Sequence, residues 1–286
     1  MKISPISKIN LEGREFFVKR DDLFDPYLAG NKYRKLHTLL TTPKEKLNKI
    51  ISYGGTQSNA MLAIAAMCHK KGWDFTYYTK KLSQTQKAQM NGNFTQALQF
   101  GMEHREIEDI LYRDFIASLR VTIEEKTFLV DQGGAVQDAK IGLEVLAKEI
   151  RDENLEIDAI ATPSGTGTTA LFLALALPEY KVYTTPCVGD VTYLKEQMNA
   201  LHPIPQNLII LEPIKKYHFA KPYREFYTMY EKLRESGIEF DLLYAPSMWL
   251  ALLEQTKEKV LYVHSGGVSG NDSMKERYFK KFEIAK

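Results

Sequence analysis

Lys32 stands in the stretch GNKYRKL (residues 30–36), directly after a glycine and an asparagine and at the start of a helical pattern. A lysine does covalent work when its amine sheds its proton, condenses with an aldehyde and later acts as a base. Lys32 suits that use, and equally suits a solvated surface charge. A second stretch, SYGGTQSNA (52–60), sets a glycine pair before Gln57, Ser58 and Asn59. At a strand-to-helix turn this puts backbone amides and short polar side chains at the positive end of a helix dipole, where a carboxylate binds well. The same residues also make an ordinary capped turn, with Ser58 and Asn59 serving only the helix's own amides.

The third stretch is PSGTGTT (163–169). Gly165 and Gly167 allow close backbone approach and positive φ, and Ser164, Thr166, Thr168 and Thr169 add hydroxyls, so the loop suits a phosphate monoester. It has no lysine in the Walker A position, and Ala170 stands where a dinucleotide fingerprint requires its third glycine, so neither an NTPase nor a conventional dinucleotide fold is supported. Near the C-terminus, FDLLYAPSMW (240–249) and VHSGGVSG (263–270) read as strand ends that place Tyr244 and Ser265 at the carboxyl edge of a sheet.

The elements that must carry these residues alternate along the chain. Strands are expected at 50–55, 75–79, 126–134, 181–186, 207–211, 240–244 and 260–267. Helices are expected at 58–71, 84–100, 139–152, 189–200, 222–236 and 247–257, and 158–177 reads as strand, turn and apolar helix. Alternation of this kind specifies an α/β fold with mostly parallel sheets flanked by helices.

Composition narrows the function classes. In 286 residues, 44% are hydrophobic and 26% charged, as in a globular protein, and the net charge is +2 with no basic run to favour nucleic acid or anionic lipid. No apolar run reaches the ~20 residues of a membrane span, and the N-terminus lacks a signal-peptide core, so a cytoplasmic protein is expected. Cys68 and Cys187 read as core residues, and the six histidines form no metal-ligand cluster. Small molecules or a second copy of the chain are the expected partners.

A lysine, an anion-binding turn, a phosphate cup and a rim of hydroxyls are what a pyridoxal phosphate enzyme requires. In order and spacing, KRDDL, GNKYRKL, GGTQSN, PSGTGTT, DLLY and HSGG, spread over residues 19–267, resemble the pyridoxal phosphate enzymes of the tryptophan synthase β-like fold (fold type II). Within them the chain is most similar to the 1-aminocyclopropane-1-carboxylate deaminase and D-cysteine desulfhydrase family. The resemblance implies two open, twisted, mostly parallel sheets. It also implies a large domain of residues 1–35 and 136–286, a small inserted domain of 36–135, and a homodimer. It makes Lys32 the Schiff-base lysine. Ser58 and Asn59 become the holders of the substrate carboxylate and the cofactor's ring hydroxyl, with Gln57 in the same turn. Gly165 to Thr169 become the phosphate loop, and Tyr244 an active-site tyrosine, with Tyr223 as a second.

The chain departs from the deaminases at two positions. Ala245 replaces the glutamate that bonds the pyridine nitrogen there, and Ser265 replaces an aliphatic residue. A carboxylate keeps the ring nitrogen protonated, as opening a cyclopropane demands. A hydroxyl suffices where an α-proton is removed and a good β-leaving group departs. The expectation is therefore β-elimination of the desulfhydrase type, giving pyruvate, sulfide and ammonia from D-cysteine. The alternatives are the cyclopropane deaminase activity, a non-catalytic binding protein on the same fold and, last, a nucleotide-dependent oxidoreductase. A third departure, Ala60-Met61-Leu62 after Asn59, where the family places His or Gln and then Arg, leaves the choice of substrate open.

Overall fold

The computed structural model describes residues 3–28, 30–88, 92–134 and 138–283. The chain opens with the hairpin β1 (Ile6–Leu11) and β2 (Arg14–Lys19), then the short helices α1 (Asn31–Lys35) and α2 (His37–Thr41). Next come β3 (Lys49–Tyr53), α3 (Asn59–Lys71), β4 (Asp74–Lys80), α4 (Gln84–Ala88), α5 (Asn93–Gln99), β5 (Met102–Ile107), α6 (Tyr112–Leu119) and β6 (Thr127–Val130). The remainder is α7 (Ala139–Asp152), β7 (Ala159–Ala161), α8 (Thr168–Ala176), β8 (Lys181–Thr184), α9 (Val191–Asn199), β9 (Leu208–Ile210), α10 (Arg224–Glu235), α11 (Ala245–Gln255), β10 (Val260–Val263) and α12 (Asn271–Phe282).

Two sheets result. One has the order β1-β2-β10-β7-β8-β9 and the other β5-β4-β3-β6. Every pairing is parallel except the β1–β2 hairpin. The central strands β7 and β10 of the larger sheet are apolar and buried on both faces because helices cover both. In β7, Ala159 and Ala161 face the cluster built on Met248, Trp249 and Leu252 of α11, while Ile160 between them faces α7 and α8. The smaller sheet is sandwiched likewise, with Ile50 toward α3 and α5 and Ile51 toward α6. Among the described residues no helix is long and apolar enough to cross a membrane.

Several expectations are revised. The helix expected over 84–100 is two, α4 and α5, and residues 89–91 lie outside those described. The β1–β2 hairpin, β5, α6 and α12 had no counterpart in the sequence reading; the hairpin turns on Glu12 and Gly13, both at positive φ, in place of the usual Asn-Gly signal. The segment 240–244 is not a strand. The Asp241 carboxylate accepts from the amides of Leu243 (3.0 Å) and Tyr244 (2.5 Å), and Asn271 Oδ1 accepts from Leu242, so side chains take the donors that a ladder would need.

Candidate active site

The end of β2 and the start of α1 are fixed by a buried ionic quartet. Arg34 donates to Asp21 (2.8 and 2.9 Å) and to Glu149 of α7 (2.6 and 2.7 Å), and Lys19 lies 3.2 Å from Glu149. All four side chains are buried and the charges cancel, which is the condition under which such a group is tolerated inside. Two glycines let the chain come this close. A Cβ on Gly142 would stand 1.9 Å from the Arg34 carbonyl oxygen, and one on Gly30 would stand 1.6 Å from that of Ser265. Gly30 also has φ +60, and the Asn31 amide donates to the same Ser265 oxygen at 3.3 Å.

This anchorage sends the Lys32 amine toward the other sheet, where it donates to the Gly133 carbonyl just after β6 at 3.1 Å. Desolvation lowers its pKa to about 8, so roughly a fifth of the amine is neutral near physiological pH, far more than for a solvated lysine. Gly133 in turn faces the glycine-threonine loop, since a Cβ there would lie 3.5 Å from Thr166 Cγ2. On the loop's other side a Cβ on Gly165 would meet the Tyr244 ring at 3.6 Å and its hydroxyl at 3.8 Å. Tyr244 is also packed against Phe219, with ring centroids 5.3 Å apart.

The loop runs from β7 into α8. Gly167 takes φ +76, and a Cβ on it would collide with Met198 of α9 at 2.5 Å. The Ser164 hydroxyl is bonded to Thr184 at 2.6 Å, and Thr166 to Thr168 at 3.0 Å. Among the described residues, the buried hydroxyls of Thr162 and Thr169 have no partner. The first amides of α8 are the orphan donors that every helix N-terminus presents. Beside Lys32 lies Lys35, buried, with no carboxylate within 4 Å among the described residues; burial and the neighbouring Lys32 push its pKa well down. An orphaned hydroxyl and a row of free amides fit a phosphate monoester, and a desolvated lysine fits an aldehyde.

On the facing sheet Ser58 caps α3, its hydroxyl accepting from the Met61 amide at 3.2 Å, and the buried Tyr77 hydroxyl touches it while donating to the Gly55 carbonyl at 3.1 Å. Asn59 reaches the loop after β10, where a Cβ on Gly267 would come within 2.9 Å of its Nδ2. His264 holds that loop, with Nε2 donating to the Glu239 carbonyl at 2.8 Å and Nδ1 accepting from the Gly266 amide at 3.1 Å.

Lys32 is thus linked through Gly133 to Thr166, the 164–169 loop to Tyr244, and Gly30 beside Lys32 to Ser265, while Asn59 meets the loop after β10 and Ser58 caps α3. Gln57 packs against Gly92. Tyr223 is set apart: its hydroxyl accepts from the His218 amide at 2.9 Å within a cluster of Tyr217 and Phe226. Cys187, expected to fill the core, instead lines a cavity of about 10 Å³ with Phe219 and Ser247. The sequence reading passed over Lys35 and Asn93. The signal for the first was its place one turn after Lys32.

The model of the pyridoxal-phosphate dependent enzymes matches residues 3–192. A protein of Thermotoga maritima provisionally named 1-aminocyclopropane-1-carboxylate deaminase is 26% identical, with 90% of each chain covered. The D-cysteine desulfhydrase of Serratia proteamaculans is 25% identical over 89% of this chain and 87% of its own. Among solved structures, a homologue of 1-aminocyclopropane-1-carboxylate deaminase superposes with a TM-score of 0.77 at 21% identity, covering 97% of this chain and 94% of that one. The likeness extends through the whole fold, and the family's match includes both Lys32 and the phosphate-type loop. The chain belongs to the family of pyridoxal-phosphate dependent enzymes, and pyridoxal phosphate is its cofactor.

Proposed function

We propose that this enzyme is a lyase that expels the β-substituent of a small amino acid by α,β-elimination, in the manner of a D-cysteine desulfhydrase: D-cysteine loses sulfide, and the aminoacrylate released takes up water to give pyruvate and ammonia. When bound, pyridoxal phosphate supplies an aldehyde that condenses with amines and a ring that accepts the electron pair left at the substrate's Cα. Lys32 holds the cofactor and, once released, takes the Cα proton onto Nζ, a task suited to an amine with a pKa of about 8. The orphan amides of α8 and the Thr169 hydroxyl hold the phosphate. Ser58 and the first amides of α3 hold the substrate carboxylate, and Asn59 holds the ring hydroxyl. Tyr244, half-buried and packed against Phe219, screens the reacting atoms from water. Residues 36–135, which carry the whole β5-β4-β3-β6 sheet, form the smaller domain; the junction at 135–136 lies outside the described residues.

The observation that carries the choice of elimination is Ala245. It is fully buried directly after Tyr244 and offers a methyl group where the deaminases carry a glutamate. The nearby carboxylate, Asp241, is committed to backbone amides, and burial pushes its pKa up, which disfavours the charge a ring nitrogen would need beside it. The second reading, 1-aminocyclopropane-1-carboxylate deaminase, is favoured by the name of the Thermotoga relative. Incubating the purified holoenzyme with D-cysteine, L-cysteine and 1-aminocyclopropane-1-carboxylate, and measuring sulfide, pyruvate and 2-oxobutanoate, separates the two. Sulfide with pyruvate is expected; 2-oxobutanoate without sulfide would establish the second reading. Lys32→Ala is expected to abolish the visible band of the lysine-bound cofactor.

A further inference from the structure

We propose that Asn93 is a positioning residue of this site: it fixes which end of the Asn59 amide faces the cofactor, and through Ser269 it ties the two sheets together over that amide. The inference rests on the reading above that Asn59 meets the cofactor's ring hydroxyl. Asn93 opens α5 immediately after Gly92, whose φ of +60 and close approach to Gln57 Oε1 seat the helix on the 55–58 turn. Its side chain is buried and fully engaged. Nδ2 donates to the Gln57 carbonyl at 3.2 Å and to Asn59 Oδ1 at 2.7 Å, and Oδ1 accepts from the Ser269 hydroxyl at 3.2 Å.

The direction of every bond in this chain follows from one group. A backbone carbonyl only accepts, so the nitrogen of Asn93 must face Gln57. The second proton of that nitrogen then points at Asn59, which must answer with its oxygen. Asn59 Nδ2 is left on the far side, toward Gly267 and the space between the sheets. A donor there suits the phenolic oxygen of the cofactor, which is most acidic when its anion is hydrogen-bonded. With the amide reversed, a carbonyl oxygen would face that anion and repel it. Ser269 comes from the turn after β10 (Val268–Gly270), so the same chain of bonds joins the β5-β4-β3-β6 sheet to the larger one.

The test uses holoenzyme carrying Asn93→Asp, Asn93→Ala, Asn59→Ala and the Asn93→Asp/Asn59→Ala pair. It reads the pH midpoint of the bound cofactor's visible absorption and the Kd for the cofactor. A carboxylate at 93 accepts only, so it draws Asn59 Nδ2 to itself. Asn93→Asp is expected to raise the spectral midpoint and weaken cofactor binding about tenfold, the scale of one hydrogen bond to a charged group. Asn93→Ala, should the first variant fail to fold, is expected to move both readouts in the same direction. The double variant should be no worse than Asn59→Ala alone, which a merely structural role for Asn93 does not predict. If Asn59→Ala shifts the spectrum while the Asn93 variants leave it unmoved, or if the two effects add, the positioning role is overturned and the reading of Asn59 stands. If Asn59→Ala itself changes neither readout, that reading falls and the inference with it.

Discussion

The amine of Lys32 lies 3.1 Å from the carbonyl oxygen of Gly133, a residue 101 positions further along the chain and just beyond the edge strand of the other sheet. The contact holds the amine between the sheets, where desolvation brings its pKa to about 8. In cofactor-free protein the neutral fraction therefore rises through that pH, and cofactor capture, followed by growth of the visible band, should accelerate up to about pH 8 and level off above it. A rate still climbing near the ordinary lysine value of about 10.4 would mean the amine is solvated. Stability carries a matching sign. Between these two values the unfolded chain keeps a proton that the folded one has lost, so unfolding becomes harder as pH rises across the window. Replacing Lys32 with Met should remove that contribution, visible as a shallower pH slope in denaturant melts.

Thr169 separates binding from folding. Its hydroxyl is buried without a partner among the described residues. Thr169→Val removes an unsatisfied group, so the cofactor-free protein should be unchanged or stabilised by up to about 1–2 kcal/mol, while cofactor affinity falls. A Thr169→Val protein that melts earlier and binds as well as the parent would make the residue a packing element.

Gly30 and Gly13 both adopt positive φ, but only Gly30 is pressed against another segment. A Cβ at either costs about 1–3 kcal/mol of backbone strain; at Gly30 it must also push Ser265 away. Gly30→Ala should lose both stability and cofactor affinity, and Gly13→Ala should lose stability alone. Equal behaviour of the two in melting and in cofactor titration would show that the Ser265 contact does not place the lysine.

Arg34→Met leaves Asp21 and Glu149 buried without their guanidinium, a loss of about 3–5 kcal/mol for a broken buried pair. Burial by itself raises the Glu149 pKa, but Arg34 and Lys19 overrule it and the net shift is downward. The quartet therefore stabilises fully above the ordinary carboxyl range and loses its contribution as pH falls through the lower native value. The gap between parent and Arg34→Met melts should be wide at neutral pH and narrow on acidification. A gap that widened in acid would contradict the assignment.

Much of this molecule is legible locally. Ser58 as the cap of α3 and Gly72 as its stop, the limits of α7, and the glycine-threonine loop between β7 and α8 depend on residues within a few positions of one another, so their types and spacing suffice. The segment 240–244 shows the limit of that reading. Its apolar residues look like a strand, and only the distant Asn271, together with Asp241, removes the amides from a ladder.

What the sequence by itself determined is the set of chemical parts: a lysine at a helix start, a capped anion turn, a phosphate-type loop, and the α/β alternation that carries them. Tertiary structure alone decided that Lys32 meets Gly133, that Gly30 seats on Ser265, that Arg34 closes on Asp21 and Glu149, and that Asn93 and Ser269 orient Asn59. Periodicity and capping are properties of a short stretch of backbone and persist wherever that stretch lies. Distances between segments tens or hundreds of residues apart exist only once two sheets and their helices have packed, and the pKa of a lysine follows the water that packing excludes.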